Sequence, residues 1–294
     1  MMEIKGGCLH DEKWLIPFAI MLSVFFTFTH SASAAGVTAI TGNNSFDTAA
    51  PIGYWKYKNI DTTILEAGKD EAYFTFTAYK GEKVYVRSTY QNAYTGMKIE
   101  IYDKNRVPVS QGTEVINPNT FSSFIYANAD AQNTTDTFYV IVSRGTYTGN
   151  MYFTLSIENR IKSGSGTFSF SGVADNKGNT ALSPSGSDSS VIKVDLTNQS
   201  GIPRDAIVTR VQTTATQTPS QGNTRHMIMT SENNEWRRAL VNSSTSGSYD
   251  ISLSDQLSVA KVWSFKYNTL ATARSTMSNV KAKIDYEYDV TKQF

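Results

Sequence analysis

The amino-acid sequence predicts an all-β protein: two antiparallel β-sandwich domains of jelly-roll type, following a cleaved N-terminal signal helix. Three observations carry this reading. From Trp55 onward, short runs of Tyr, Phe, Val, Ile and Thr alternate with Gly, Asn, Asp and Ser, as in sandwiches and barrels. Between Val280 and Val290 apolar and charged residues alternate strictly, a period no helix produces. The first 34 residues have a different character from everything that follows.

That leader has three parts in order. Lys5 and Lys13 precede an apolar run from Trp14 to Phe28, and Ala32-Ser33-Ala34 then offers the small-x-small pattern that a signal peptidase accepts. Cleavage is expected after Ala34. The run is shorter than the roughly 20 residues a membrane-spanning helix requires. Cys8, the only cysteine, precedes the run, whereas a lipoprotein cysteine would follow it. The exported chain is then free of thiols, which favours a Gram-positive bacterial exporter over a eukaryotic secretory pathway. Its expected location is extracellular, either secreted or associated with the cell wall.

Charge narrows the partners. Of 27 basic and 26 acidic residues, Lys5, Lys13, Glu3, Asp11 and Glu12 fall in the leader, so the remainder stays close to neutral. Such a balance gives no electrostatic case for nucleic acid or for an anionic membrane.

Along the chain, Lys83-Val84-Tyr85-Val86-Arg87 and Lys98-Ile99-Glu100-Ile101-Tyr102 alternate as half-buried strands do. Phe138-Tyr139-Val140-Ile141-Val142 is apolar on both faces and predicts a central strand. Ser163-Gly164-Ser165-Gly166 reads as a short linker, which puts the boundary between two domains, 35–160 and 161–294, near residue 161. The segment from Asp175 to Ser190 reads as a long loop of the second domain. The alternation ending the chain has charges of both signs on its outer face, which would discourage pairing at an open edge. A helical turn is expected near Ser254 to Leu257, with Ser254 as its cap.

The segment from Asn43 to Asn159 resembles the bacterial pre-peptidase C-terminal domain, through Asn44-Ser45-Phe46-Asp47-Thr48-Ala49-Ala50-Pro51-Ile52, Asp70-Glu71-Ala72-Tyr73-Phe74-Thr75-Phe76, Ile99-Glu100-Ile101-Tyr102-Asp103 and the pair Thr137–Val142 and Gly149–Leu155. The resemblance implies a small β-sandwich with an accessory role, found elsewhere beside secreted peptidases and as a collagen-binding module. It fixes no ligand. The second half is only loosely similar to jelly-roll modules such as the P-domain of proprotein convertases.

Chemistry is sparse. Once the leader is removed His226 is the one histidine left, and no Gly-x-Ser-x-Gly elbow, His-Glu-x-x-His pair or phosphate-binding glycine loop occurs. His226 is expected to be structural or on the surface, zinc and copper lack their usual ligands, and no cofactor is expected. Calcium needs only oxygen ligands, and Asn44, Asp47 and Asp70 are candidates, as in relatives of the first domain. The same residues also serve as turn formers.

Aromatic side chains are the informative residues for binding, because Tyr and Trp carry broad rigid faces with a polar tip. Tyr90 and Tyr94 lie in a polar connector, Trp55 stands with Tyr54 and Tyr57, and Trp236 is followed by Arg237 and Arg238. The expectation is a secreted bacterial protein, not an enzyme, that binds a glycan, a matrix protein or another exported protein. A structural or secretion adaptor without a small ligand is the alternative. A glycoside hydrolase stays open on composition alone, since it needs only two facing carboxylates.

Overall fold

The computed structural model describes residues 39–57, 60–90, 93–115 and 123–294, with only the backbone at residue 90. The expected leader over 1–34 lies outside the described residues. Among the described residues no helix is long and apolar enough to cross a membrane.

The first sandwich contains β1 (Ala50–Tyr54), β2 (Thr63–Leu65), β3 (Glu71–Tyr79), β4 (Lys83–Tyr90), β5 (Lys98–Asp103), β6 (Pro108–Gln111), β7 (Thr113–Val115), β8 (Ser123–Asp130), β9 (Thr135–Ser143) and β10 (Met151–Asn159). One sheet has the order β1-β3-β9-β5-β6 and the other β2-β10-β4-β8-β7. The apolar strand read from Phe138 to Val142 is β9, in the middle of its sheet, with Val140 and Val142 fully buried. Alternation delivers Phe74 and Phe76 of β3, Val84 and Val86 of β4, and Ile99 and Ile101 of β5 to one shared core. The pairing is not wholly antiparallel. β1 runs parallel to β3, from Ala50↔Phe74 to Tyr54↔Thr77, because the chain crosses to the other sheet through β2 before returning.

The second sandwich contains β11 (Ile161–Ser169), β12 (Ala174–Asn176), β13 (Ser187–Asp188), β14 (Ile192–Asp195), β15 (Ile207–Thr218), β16 (Thr224–Thr230), β17 (Arg237–Arg238), β18 (Val241–Asn242), β19 (Ser246–Ser248), β20 (Val262–Thr269) and β21 (Ser275–Asp289). One sheet has the order β11-β21-β15-β19-β18, with β12 also on β21; the other is β13-β20-β16-β17, with β14 on β20. Trp263, Phe265 and Tyr267 of β20 face Val280, Ala282 and Ile284 of β21 across the core.

Two expectations change. Ser163–Gly166 is no linker but part of β11, paired to β21 along its whole length. Rings take the space that Cβ atoms would need there: Tyr286 lies over Gly164, and Phe168 over Gly166. β21 lies inside its sheet, flanked by β11 and β15, and its charged face is a solvated sheet surface, as its alternation indicates. The turn expected at Ser254 is Leu253–Asp255, and its cap is Ser252, whose N–H donates to Asp255. The 175–190 loop is tied down by short strands, by Asn176 donating to the Ser187 carbonyl (2.7 Å) and by an Arg274–Asp175 ion pair.

Single ionised side chains organise the connections. Arg144, only 6% exposed, donates to the carbonyls of Glu66, Lys69, Tyr147 and Gly149 and so ties two loops at one end of the first sandwich. Arg160 is the one residue between β10 and β11. Its guanidinium lies 2.9 Å from Asp130 of β8 and 3.2 Å from Asp289 of β21, joining the two sandwiches. Its N–H donates to Lys83 O (2.8 Å), and its carbonyl accepts from Val290 N–H (2.9 Å). Beyond a 3-10 turn at Val290–Gln293, Phe294 packs edge-on against Tyr85, Phe124 and Tyr126 of the first sandwich.

Arg160→Met would leave Asp130 and Asp289 without their shared counter-charge, and is expected to lower stability by about 2 kcal/mol in a denaturant titration. A second prediction concerns His226, which burial holds down at about 4 despite partial support from the Ser244 carbonyl. The unfolded chain takes up a proton near pH 6.5 that the native chain refuses. Stability should therefore fall by up to about 3 kcal/mol as pH drops from about 6.5 to about 4. His226→Gln should flatten that slope in unfolding curves measured across the same range.

Candidate functional site

One aromatic cluster of the first sandwich is built around a single carboxylate. β1 ends at Tyr54 and runs into a 3-10 turn at Trp55–Tyr57, while β3 ends at Tyr79 and turns through Lys80 and Gly81 to Glu82. Gly81 sits at φ +85°, a conformation that favours glycine, and this tight reversal places the Glu82 carboxylate beneath the end of β1. Glu82 Oε1 accepts from Tyr54 Oη (2.6 Å) and Lys56 Nζ (2.9 Å); Oε2 accepts from Trp55 Nε1 (2.8 Å) and the Tyr79 N–H (2.8 Å). Burial alone would raise its pKa. The four donors outweigh that effect and hold the carboxyl down at about 2. The same hydrogen bonds raise the pKa of the Tyr54 phenol and the Lys56 ammonium.

The rings follow from this anchoring. Tyr54 lies 4.7 Å from Tyr79 and 5.1 Å from Tyr57, centroid to centroid, and Lys56 Nζ stands 5.2 Å over Trp55. Trp55 is 9% exposed, whereas Tyr79 is 49% and Tyr57 83% exposed. Trp55, expected as a ligand contact, is mostly buried, and the most exposed rings of the cluster are Tyr57 and Tyr79. Tyr79 escaped the sequence reading because it looks like an ordinary strand end. Its position just before Lys80-Gly81 was the available signal, since a residue there sits beside whatever the turn brings up.

The other candidates do not join this cluster. Tyr94 is 2% exposed: its hydroxyl accepts from the Tyr152 N–H (3.1 Å) and its ring meets Tyr147 at 4.9 Å, so the polar connector folds it into the core. Tyr90 ends β4, and its side chain lies outside the described residues. Trp236 belongs to the second sandwich, half-buried under Lys266 Nζ at 4.5 Å. The calcium candidates make separate contacts. Asn44 donates its amide to the Glu71 carbonyl (3.1 Å), Asp47 pairs with Arg106 (2.7 Å), and exposed Asp70 offers its backbone carbonyl to Arg144 N–H (3.0 Å). Among the described residues no group of three or more His, Cys, Asp or Glu could hold a metal ion. His226 is buried in the second core, its Nδ1 2.9 Å from Thr213 Oγ1, which also meets Tyr249 Oη at 3.1 Å.

Beside the tyrosine cluster, a polar cleft of about 660 Å³ opens between the sandwiches. Trp55, Lys56 and Glu82 line one wall, Asp205, Gln256 and Glu287 the other, and Arg160 lies at the junction.

Glu82→Gln should cost about 2 kcal/mol of stability at pH 7, since it removes the charge that strengthens four hydrogen bonds. The native carboxyl lies below its unfolded value, so its contribution is present above about pH 4.5 and fades toward about pH 2. The gap between wild type and variant in thermal unfolding should close over that interval.

No family model matches the chain. Among solved structures, the pre-peptidase C-terminal domain of a Bacillus anthracis collagenase covers 37% of this chain and 94% of its own, at 17% identity and a TM-score of 0.28. A protein from Eubacterium rectale covers 85% of this chain and 84% of its own, at 10% identity and a TM-score of 0.37. Neither likeness is close enough to carry an argument. The uncharacterized protein YbdN of Bacillus subtilis (strain 168) is 93% identical over 283 residues, covering 96% of this chain and 99% of that protein. The chain belongs to the YbdN family.

Proposed function

We propose that the protein is a secreted, non-catalytic binding protein whose contact surface is the tyrosine cluster held by Glu82, and that it meets a glycan or protein outside the cell. One observation carries this reading: Tyr57 and Tyr79 are exposed yet packed through Tyr54, which is itself fixed by a charge-assisted hydrogen bond. Exposed aromatic rings that are already ordered bind without a large loss of side-chain freedom. The leader motif of Lys5, Lys13, the Trp14–Phe28 run and Ala32-Ser33-Ala34 supports export.

The state of three cleft acids and of the histidine supports a binding role over general acid catalysis. General acid catalysis by a carboxyl group calls for a raised pKa. Glu82 is held at about 2. Asp205 and Asp289 are engaged by Lys292 and Arg160. His226 is enclosed in the second core.

Purified protein should be retained by Gram-positive cell-wall preparations or by immobilised matrix protein in a pull-down. The Tyr57→Ala, Tyr79→Ala double variant should lose about tenfold or more in affinity with little change in melting temperature. Equal retention of variant and wild type would overturn the assignment of this surface.

A further inference from the structure

We infer that the ligand of the tyrosine cluster is a neutral, hydroxyl-rich oligosaccharide that runs from Tyr57 and Tyr79 into the cleft between the sandwiches. This rests on the binding role proposed above and adds the chemical class of the ligand and its path. The two features are one surface: Trp55, Lys56 and Glu82 both hold the tyrosines and line the cleft. The cleft volume of about 660 Å³ falls within the roughly 300–1,000 Å³ usual for sites that enclose small ligands.

Charge selects the class. The cleft cations are Lys56, Lys83, Arg160 and Lys292, and its carboxylates are Glu82, Asp205, Glu287 and Asp289. Lys56 lies 2.9 Å from Glu82, Lys292 3.0 Å from Asp205 and Arg160 3.2 Å from Asp289. At these three cations an anionic ligand would have to compete with the paired carboxylates, and a cationic ligand would meet the reverse problem. The two charges left without an ion pair, Lys83 and Glu287, are of opposite sign and favour neither. A hydroxyl faces neither difficulty, because it both donates and accepts. It can accept from a lysine and donate to a carboxylate oxygen that keeps free lone pairs. The lining also suits sugar better than peptide. Ile161, Ile207 and Leu253 are its aliphatic members among mostly polar and charged ones, a lining that offers hydrogen bonds more than apolar anchors. The exposed tyrosine faces supply the stacking surface that sugar rings use.

Affinity electrophoresis of the purified full chain tests this, in native gels containing galactomannan, mixed-linkage β-glucan, amylose or, as the anionic probe, polygalacturonate. At least one neutral polysaccharide should retard the protein, and raised salt should leave the retardation in place. Tyr57→Ala should abolish it, and Lys83→Ala and Glu287→Gln should each weaken it by about fivefold, the loss of about one hydrogen bond. Both cleft positions are on the lining without a role in the Glu82 cluster, and melting temperatures verify that the variants fold. Retardation by polygalacturonate alone, or by none of the four, overturns the inference. Retardation lost in Tyr57→Ala but unchanged in both cleft variants overturns the path through the cleft and leaves the tyrosine surface standing. Failure of the tyrosine surface itself would appear separately, as wall or matrix binding that the double tyrosine variant does not reduce.

Discussion

The arrangement of the molecule depends on Arg160. It is the only residue between two nine-residue strands that belong to different sandwiches, and its guanidinium spans a carboxylate from each. Arginine suits this task because its planar fork presents several donors in fixed directions, which a lysine ammonium does not. The side chain is 13% exposed, so the pair forms in surroundings that weaken electrostatics far less than open water does. With the backbone bonds to Lys83 and Val290, it fixes where the second sandwich stands beside the first. The cleft is the space left by that placement, and Arg160 lines it.

The same device recurs at smaller scale. Glu82 gathers a turn, a strand end, two aromatic side chains and a lysine, and Arg144 gathers two loops through backbone carbonyls alone. Cys8 is the only cysteine in the sequence, so disulfides are not what secures these connections. Charge-assisted hydrogen bonds from partly or wholly buried ions do that work, and they are stronger and more directional than neutral ones. Their cost is the desolvation of the ion, met here by supplying several partners to each.

Much of the sandwich architecture was legible because its signal is local. Alternation along Val84–Val86, Ile99–Ile101 and Val280–Val290 reports burial directly, and the two-faced apolar run at Phe138–Val142 marked the middle of a sheet. Features set by distant residues were hidden. Ser163–Gly166 looked like a linker because the rings that fill in for its missing side chains include Tyr286, more than a hundred positions away. Tyr94 looked free because Tyr147 and the Tyr152 backbone that enclose it come from another strand connection. The site was half-legible for the same reason: Tyr54, Trp55 and Tyr57 are adjacent in sequence, but Tyr79 and Glu82 reach them only through sheet pairing.

Phe294 also bears on how the molecule is made. Its ring closes against Tyr85 and Phe124, residues that emerge some two hundred positions earlier. The first sandwich has a core of its own and can form without this contact. The contact with Phe294 can form only once both regions have been made. Without it the first half would keep its core while the second lost a contact that helps hold it in place, and the junction would be more open to proteolysis.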